Sequence, residues 1–276
     1  YEPDFKFDLV IGNPPYNNSQ NNKGKKGGGD SLWNKFIKIS INKWLNKNKF
    51  LVFVHPSGWR KPENDRSKFK GLFKYMTKKN TIKYLEIHSS SDGIKTFKAR
   101  TRYDFYLLKY SKENINSIIK DENGKIFNYN LKQLKWLPNY NINKIKNILT
   151  DKNEDKCTII QSMSAYEQRK KWMSKIKTDK FKYSCIHSTP KKEIRYMYSS
   201  INNKGHFGIP KVIFGESGIG HVIIDMKGKY GMTQGAMAIL VNNIEEANNI
   251  KKCLLSKKFN DEIIYSCFFI IRIRFS

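Results

Sequence analysis

The chain has 276 residues, of which 39% are hydrophobic, so it is long enough to form one large or two ordinary domains with a buried core. Lysine and arginine number 52 against 24 acidic residues, which leaves a formal net charge of +28. This excess goes far beyond what solubility requires and predicts a polyanionic partner. A compositional bias would explain lysine in place of arginine but not the shortage of acids, so nucleic acid is the favoured partner.

The cysteines and the apolar segments bear on compartment and metal binding. The chain has no recognisable secretory leader, and its four cysteines lack paired spacing, which predicts free thiols in a reducing, intracellular compartment: Cys157, Cys185, Cys253 and Cys267. Cys185 and His187 are close in sequence, but no second ligand pair accompanies them, so we predict no metal site. The most apolar segment, 267–271, is too short to cross a bilayer, so no membrane association is expected.

The first predicted element is a strand that runs into a rigid turn. Leu9-Val10-Ile11 is a continuous apolar run, which is typical of a central parallel strand covered on both faces. The following Gly-Asn-Pro-Pro, residues 12–15, ends the strand because two prolines fix φ and remove two backbone donors. The side chains of Asn13 and Tyr16 are thereby placed at the carboxyl end of the strand, where open α/β sheets bind ligands.

A glycine- and lysine-rich loop over 17–30 follows the turn. It lacks the Gly-Lys-Ser/Thr ending of a nucleotide-binding P-loop, so two interpretations stay open, a contact with nucleic-acid phosphates and a plain surface loop. Asp30 or Ser31 then caps a predicted helix whose apolar residues, between 32 and 45, recur at helical spacing.

Two further buried strands are predicted at 50–55 and 81–88, on either side of a helix over 67–79. The first of these strands ends at His55, which we interpret as a structural histidine rather than a catalytic base. The alternation of strands and helices predicts half of a doubly wound sheet.

The segment from Lys95 to Tyr110 interleaves aromatic and basic residues and leads into a strand. Two interpretations stay open here as well, a ligand-contacting aromatic and a plain amphipathic hairpin. A second hairpin is predicted over 115–131, with its turn at Glu122-Asn123-Gly124.

The second half of the sequence is less regular. A basic amphipathic helix is predicted over 166–177, several strands within 211–241, and a further helix capped by Asn242 or Asn243. Aromatic and basic residues alternate over 180–198, which suits nucleic-acid contact. A solvated basic face with the aromatic rings inside fits the same pattern.

The stretch around the first turn carries a family resemblance. Phe7-Asp8, three aliphatic residues and then Asn13-Pro14-Pro15-Tyr16 resemble motif four of the N6-adenine DNA methyltransferases of restriction-modification type. The resemblance implies that Asn13, Pro14, Pro15 and Tyr16 are catalytic. The Asn13 side-chain oxygen and the Pro14 carbonyl would accept the two hydrogens of an adenine amine and so aim its lone pair at the methyl donor.

The same resemblance implies roles for other residues. A flipped adenine would stack on Tyr16, with Phe97 as the first and Tyr103 as the second candidate for the opposite ring. S-adenosyl-L-methionine is the implied cofactor, contacted by Asn13 and Pro15, and double-stranded DNA is the implied partner. The basic residues expected to bind DNA are Lys23, Lys25, Lys26, Arg60, Arg100, Arg102, Arg169, Lys170, Lys171 and Arg195.

The resemblance also implies the fold class, which is α/β, with a partial Rossmann-like methyltransferase sheet followed by a mixed α+β target-recognition domain. Residues 1–135 are expected to form the carboxyl half of the catalytic domain, 136–156 a linker, and 157–276 the DNA-binding recognition domain. In the family the donor-binding motifs usually precede motif four, so we expect them upstream of this chain. A permuted order would need the glycine-rich segment 215–220 as donor loop, but the residues after it favour a hairpin.

The predicted function is methyl transfer from S-adenosylmethionine to the N6 amine of a flipped adenine in DNA, within a restriction-modification system and at DNA inside the cell. Two alternatives stay open. One is a protein glutamine N-methyltransferase, since the same turn would orient a planar amide, and the other is a non-catalytic DNA-binding remnant. Because the donor half is expected elsewhere, the chain alone is expected to bind DNA and to methylate poorly or not at all.

Overall fold

The computed structural model of the protein describes residues 5–17, 31–61, 67–146, 157–161, 164–216 and 218–260. It divides the chain into two compact units, Tyr1–Ile142 and Asn143–Ser276. This division lies inside the predicted linker, 136–156. Leu137 and Ile142 are nevertheless buried in the core of the first unit, so the beginning of that segment packs as part of the first unit.

The first unit combines strands with short helices. Its described strands are β1 (Phe7–Gly12), β2 (Leu45–Pro56), β3 (Thr81–His88), β4 (Tyr103–Lys109), β5 (Ser117–Lys120) and β6 (Ile126–Tyr129). Its helices are α1 (Trp33–Ile39), α2 (Leu72–Lys74) and α3 (Ser90–Phe97), and α1 and α2 continue into π-helical turns over Ser40–Trp44 and Tyr75–Lys79. Single 3-10 turns follow β2 (Ser57–Arg60) and β6 (Leu131–Gln133), and α4 (Ile142–Lys146) lies at the boundary between the units.

Three sequence predictions for this unit are confirmed. β2 and β3 contain the predicted strands 50–55 and 81–88. β5 pairs antiparallel with β6 around a turn in which Gly124 has a φ of 79°. The helix predicted between β2 and β3 begins later than expected, at Leu72, because Gly71 before it adopts a φ of 78° and cannot be helical.

The six strands form one mixed sheet in the order β1-β2-β4-β3-β5-β6. β1 is parallel to β2 and β3 is parallel to β5, whereas β4 is antiparallel to both β2 and β3 and lies between them. Tyr103, the first residue of β4, is therefore opposite Pro56 at the end of β2 and His88 at the end of β3. The carboxyl ends of β1, β2 and β3 and the beginning of β4 share one edge of the sheet.

One face of this sheet carries the core of the unit. Apolar residues at helical spacing in α1 and α2 pack against alternate residues of the central strands, because side chains of a strand point to opposite faces in turn. The cluster includes, among its buried members, Trp33, Ile37, Leu72, Phe73, Leu51, Phe53, Leu85, Tyr106 and Leu108.

The opposite face carries several exposed apolar residues beside the ion pair of Glu86 and Lys120. Leu9 is 49% and Ile11 70% exposed on β1, and Phe105 on β4 and Ile118 on β5 are 37% and 46% exposed. The strand register places these residues on the side away from the core, since Ile11 pairs with Val52, one position from buried Leu51. The prediction of β1 as a central strand covered on both faces is therefore wrong for the described residues, in which β1 is an edge strand with one uncovered face.

Beyond α4, the described residues of the second unit form two four-stranded sheets and a helix of 12 residues. The first sheet has the order β13-β9-β10-β8 and the second the order β12-β11-β14-β7. The strands are β7 (Ile159–Ile160), β8 (Met173–Ser174), β9 (Tyr183–Ser188), β10 (Arg195–Ser199), β11 (Lys211–Gly215), β12 (Ile223–Asp225), β13 (Gly231–Met232) and β14 (Ala236–Leu240). The helix is α5 (Ile244–Leu255).

The strands predicted within 211–241 and the capped helix are confirmed in this unit. Asn243 is the cap of α5, and its side-chain oxygen accepts a hydrogen bond from the backbone N–H of Glu246 at 2.8 Å. The basic helix predicted over 166–177 is wrong, because this segment forms turns and strand β8. Tyr166 and Met173 are buried there with Cys185. None of the described helices is long and apolar enough to span a membrane.

His55 is confirmed as a structural residue of the first unit's core. Its ring is fully buried, stacks on Trp33 with centroids 4.3 Å apart, and forms hydrogen bonds with the Tyr106 hydroxyl at 3.1 Å and the Pro56 carbonyl at 3.0 Å. Burial lowers the pKa of His55 to about 4.

We predict that His55 makes the first unit less stable in mild acid. The pKa of His55 is lower in the folded than in the unfolded state, so the unfolded state binds more protons and protonation favours unfolding. The free energy of unfolding should fall by about 3 kcal/mol as the pH decreases from about 6.5 to about 4. An NMR titration of the imidazole protons gives the direct measurement, and a midpoint close to 6.5 for His55 would contradict the prediction.

Candidate active site

Four segments meet at the carboxyl edge of the first unit's sheet. Residues 13–16 follow β1, the 3-10 turn Ser57–Arg60 follows β2, α3 follows β3, and β4 begins with Tyr103. The pairing of β1 with β2 and of β4 with both β2 and β3 brings these segments to one edge. This is the position at which open α/β sheets bind ligands.

The turn after β1 presents Asn13 to solvent. Gly12 packs closely on the Phe53 ring, where an added Cβ would lie 3.1 Å from the ring, and Pro14 is buried. A hydrogen bond from the Leu32 backbone N–H to the Tyr16 carbonyl, at 3.1 Å, joins the end of this turn to the beginning of α1. Asn13 is exposed and its side chain has no hydrogen bond to the described residues, so its oxygen and amide can bind a ligand.

The structure brings the predicted stacking residues Tyr16 and Phe97 together. Their ring centroids are 6.3 Å apart with an interplanar angle of 73°. Both rings are half-buried, and the Tyr16 hydroxyl is buried without a hydrogen-bond partner among the described residues. Burial raises the pKa of Tyr16 above its usual value, so its side chain stays neutral.

Tyr103 supports Phe97 instead of facing a ligand. Its ring is 6% exposed, stacks on His88 with centroids 4.3 Å apart, and lies edge-on to Phe97 at 4.9 Å. Its hydroxyl donates to the carboxylate of Asp92 at 2.5 Å. The prediction of Tyr103 as a ring that stacks on the base is therefore wrong, because no face of this ring is accessible.

Sequence reasoning missed His88 and Asp92, which stand next to this aromatic cluster. Asp92 lies in the first turn of α3, and its backbone N–H donates to the side chain of the cap residue Ser89 at 3.2 Å. The spacing from Ser89 to Asp92 is that of a capping box, so this signal could have located α3 from the sequence.

Arg60 is a structural residue, and its prediction as a DNA contact is wrong. The side chain is completely buried and forms an ion pair with buried Asp104 at 2.7 Å. It also donates to the carbonyls of Leu137 and Pro138 at 3.1 and 3.0 Å and to the side chain of Asn139 at 3.2 Å. Arg60 thus fixes the segment 137–139 on the sheet and has no surface for a phosphate.

The other predicted DNA-binding residues differ in their surroundings. Arg102 is half-buried and donates to both carboxylate oxygens of Glu122, at 2.9 and 3.3 Å. Arg169 pairs with Glu167, and Lys170 lies over the Trp172 ring. Arg100, Arg169, Lys171 and Arg195 are exposed. Lys23, Lys25 and Lys26 lie outside the described residues. With the exception of Arg60, the DNA contacts expected from the sequence stay predictions.

The described residues contain neither a cluster of metal ligands nor an activated thiol at Cys185. Within the part of the chain that the structure describes, no three His, Cys, Asp or Glu side chains form a group that could hold a metal ion. Cys185 is buried in the second unit, and burial raises the pKa of its thiol to about 12, so it is not a reactive thiolate.

Comparison with known proteins locates a family match in the first unit. Residues 2–94 match the Eco57I restriction-modification methylase family. The matched segment includes Asn13 to Tyr16 and reaches into α3, and it stops before Phe97 and Tyr103. The match covers about a third of this chain, and the matched family agrees with the restriction-modification methylase class that the sequence resemblance implies.

Solved structures give weak similarities. One belongs to "Structural basis underlying complex assembly and conformational transition of the type I R-M system", with 11% identity and a TM-score of 0.33 over 42% of this chain and 24% of that chain. The other belongs to "Characterization and crystal structure of the type IIG restriction endonuclease BpuSI", with 9% identity and a TM-score of 0.37 over 90% and 43%. This chain thus spans less than half of either. No curated protein sequence matches it.

We predict that Arg60 contributes to stability and that exposed Arg100 does not. Arg60→Ala leaves the Asp104 carboxylate buried without its cation, which should cost about 3–5 kcal/mol of unfolding free energy. Arg100→Ala is the matched control and should change this free energy by less than about 0.5 kcal/mol. Urea denaturation of both variants gives the comparison, and equal stability of the two proteins would contradict the burial of Arg60.

Proposed function

We propose that this chain is the base-receiving and DNA-recognition part of an S-adenosylmethionine-dependent N6-adenine DNA methyltransferase of a restriction-modification system. One observation carries the proposal. The exposed Asn13 side chain follows β1 directly, in a turn whose Tyr16 ring meets Phe97 at the same sheet edge. The family match of residues 2–94 supports it, because the match includes this turn.

The residues of the turn suit an adenine amine as the acceptor of a methyl group. The lone pair of this amine is delocalised into the ring, which makes it a poor nucleophile. Hydrogen bonds from its two hydrogens to the Asn13 side-chain oxygen and the Pro14 carbonyl favour a pyramidal nitrogen with a directed lone pair. Pro15 has no N–H and therefore cannot compete for these acceptors. The methylated amine then releases one proton to water.

Tyr16 and Phe97 suit the stacking of a flipped base. A base between two rings needs them roughly parallel and about 7 Å apart, since each stacked layer takes about 3.5 Å. At 6.3 Å and 73° the two rings are closed against each other. One of the rings must therefore move aside when the base enters.

The methyl donor would be held partly by Asn13 and Pro15 and partly by a segment that packs on the uncovered side of the sheet. S-adenosylmethionine supplies the methyl group from an electrophilic sulfonium. Asn13 and Pro15 are both exposed at the edge, which fits such a contact. Leu9, Ile11 and Phe105 are exposed on the same face of the sheet. Neighbouring exposed apolar residues of this kind favour a packing partner on that face.

The second unit would supply most of the DNA contacts. Four of its lysines lie over aromatic rings, and two of them, half-buried Lys170 and exposed Lys204, lie over Trp172 at 5.7 and 5.9 Å. Lys180 and Lys182 lie over the rings of the residues that follow them. Cationic side chains on aromatic faces suit both phosphates and unstacked bases. A glutamine methyltransferase would use the same turn but would leave this basic surface and the +28 charge without a role.

We predict that Asn13→Ala in the full-length protein lowers the rate of adenine methylation by about 10²–10³, because it removes one of the two acceptors that align the amine. The assay measures transfer of labelled methyl groups from S-adenosylmethionine to duplex DNA. Asn128→Ala, at an exposed position on β6, is the control and should methylate at the normal rate.

Near-normal adenine methylation by Asn13→Ala would refute the assignment of this turn. Methylation of a protein glutamine without methylation of DNA would favour the glutamine alternative. A full-length protein that binds DNA but neither binds nor uses the donor would favour the non-catalytic remnant.

We also predict that the 276-residue chain binds duplex DNA on its own, with a strong salt dependence, while its methylation stays at background. Lys171→Gln and Arg195→Gln should each reduce the slope of log K against log salt by about 1 if each contacts a phosphate. Lys83→Gln removes the same charge from a residue paired with Glu113 in the first unit, and its slope should be unchanged. Clear methyl transfer by this chain would contradict the need for another segment.

A further inference from the structure

Asp92 joins three elements at the candidate site. One oxygen of its carboxylate accepts hydrogen bonds from the Tyr103 hydroxyl at 2.5 Å and from Nδ1 of His88 at 2.8 Å. His88 is the last residue of β3, Tyr103 is the first residue of β4, and Asp92 lies in the first turn of α3. We call these three residues the Asp92 cluster.

The charges in this cluster support a carboxylate that is ionised at neutral pH. The hydrogen bond from Tyr103 and that from His88 lower the pKa of Asp92, although partial desolvation opposes them. A second carboxylate, that of Glu86, lies 3.6 Å from the other ring nitrogen of His88 and is itself bound by Lys120 at 2.8 Å. The imidazole therefore lies between two acidic side chains, with the closer contact to Asp92.

Helix α3 depends on these polar contacts because it has almost no apolar packing. Gly93 is the one buried residue of this helix, and a Cβ at that position would lie 2.1 Å from the carbonyl oxygen of Thr101. Ile94 is 47% exposed, and Lys95 and Thr96 are exposed as well. The close approach of Gly93 to the backbone and the Asp92 cluster are thus the main contacts that hold α3 in place.

Phe97 is the last residue of this weakly packed helix. Its ring touches Tyr103 on one side, with centroids 4.9 Å apart, and Tyr16 on another, at 6.3 Å. Tyr103 is therefore bonded to Asp92 through its hydroxyl and packed on Phe97 through its ring. A change at Asp92 reaches the Tyr16–Phe97 ring pair in two ways, through α3 and through Tyr103.

We propose that Asp92, together with His88 and Tyr103, is a positioning residue that sets the place of Phe97 opposite Tyr16 and so determines how the flipped base is stacked. This proposal rests on the proposed function. Asp92 does not touch the base itself. The carboxylate holds the first turn of α3, while the last turn, which carries Phe97, can shift when a base separates the two rings.

The sharpest test uses Tyr103→Phe in the full-length enzyme, because this change removes the hydroxyl that Asp92 binds and keeps the ring that packs on His88 and Phe97. Asp92→Ala is the second variant, and Ile94→Ala, at an exposed position on α3, is the control. Three quantities are measured for each protein: the Kd for duplex DNA, kcat for adenine methylation, and the emission of 2-aminopurine at the target position, which brightens when the base is less well stacked.

We expect Tyr103→Phe and Asp92→Ala to lower kcat by about 10- to 100-fold, since a displacement on the order of 1 Å at the reacting group is sufficient for such a loss. The bound 2-aminopurine should become brighter in both variants, while the Kd for DNA stays within about twofold of the unmodified enzyme and Ile94→Ala behaves normally. Unfolding midpoints near that of the unmodified enzyme confirm that Tyr103→Phe folds.

Unchanged kcat and unchanged 2-aminopurine emission in Tyr103→Phe would overturn the proposal. A parallel loss of kcat, DNA affinity and unfolding midpoint would overturn it too, since that pattern reports only general destabilisation. These failures are distinguishable from failure of the proposed function. If Asn13→Ala abolishes methylation while the Asp92 cluster variants are normal, the function stands and the positioning role falls; if the unmodified enzyme transfers no methyl group to adenine, both fall.

Discussion

The insertion of antiparallel β4 between β2 and β3 is the constraint on which the candidate site depends. It places the beginning of β4 beside the ends of two parallel strands, and β1 joins them through its pairing with β2. The buried ion pair between Arg60 and Asp104 holds this arrangement, because Asp104 is the second residue of β4 and Arg60 ends the turn after β2. An uncompensated charge at either residue would cost several kcal/mol.

The sequence was sufficient to predict the features that arise locally. Two prolines after an apolar strand fix the turn that exposes Asn13, whatever lies around it. Other features depend on strand pairings between residues far apart in the chain. These features are the burial of the Tyr103 ring against His88 and the ion pair of Arg60 with Asp104. Arg60 stood in a basic segment and therefore resembled a surface cation. The segment 166–177 has the basic and apolar spacing of an amphipathic helix, but Tyr166 and Met173 are buried from turns and from β8, which local spacing does not reveal.

β1 has the apolar pattern of a central strand, but in the described residues it is an edge strand with one uncovered face. A continuous aliphatic run indicates that both faces of a strand are suited to burial. It does not indicate which segment covers each face. Under the proposed function, the exposed Leu9 and Ile11 form part of the surface on which another segment of the active centre packs. Tyr16 and Phe97 are in contact with each other. Under the proposed function, these two rings must separate before a base can stack between them.

The most direct measurement is the chemical identity of the methylated product. The full-length protein is incubated with duplex DNA and S-adenosylmethionine that carries a labelled methyl group, and the DNA is digested to nucleosides for mass spectrometry. The proposed function predicts that the label appears as N6-methyladenine. Label in a methylated cytosine, or in a protein side chain with none in the DNA, would contradict it.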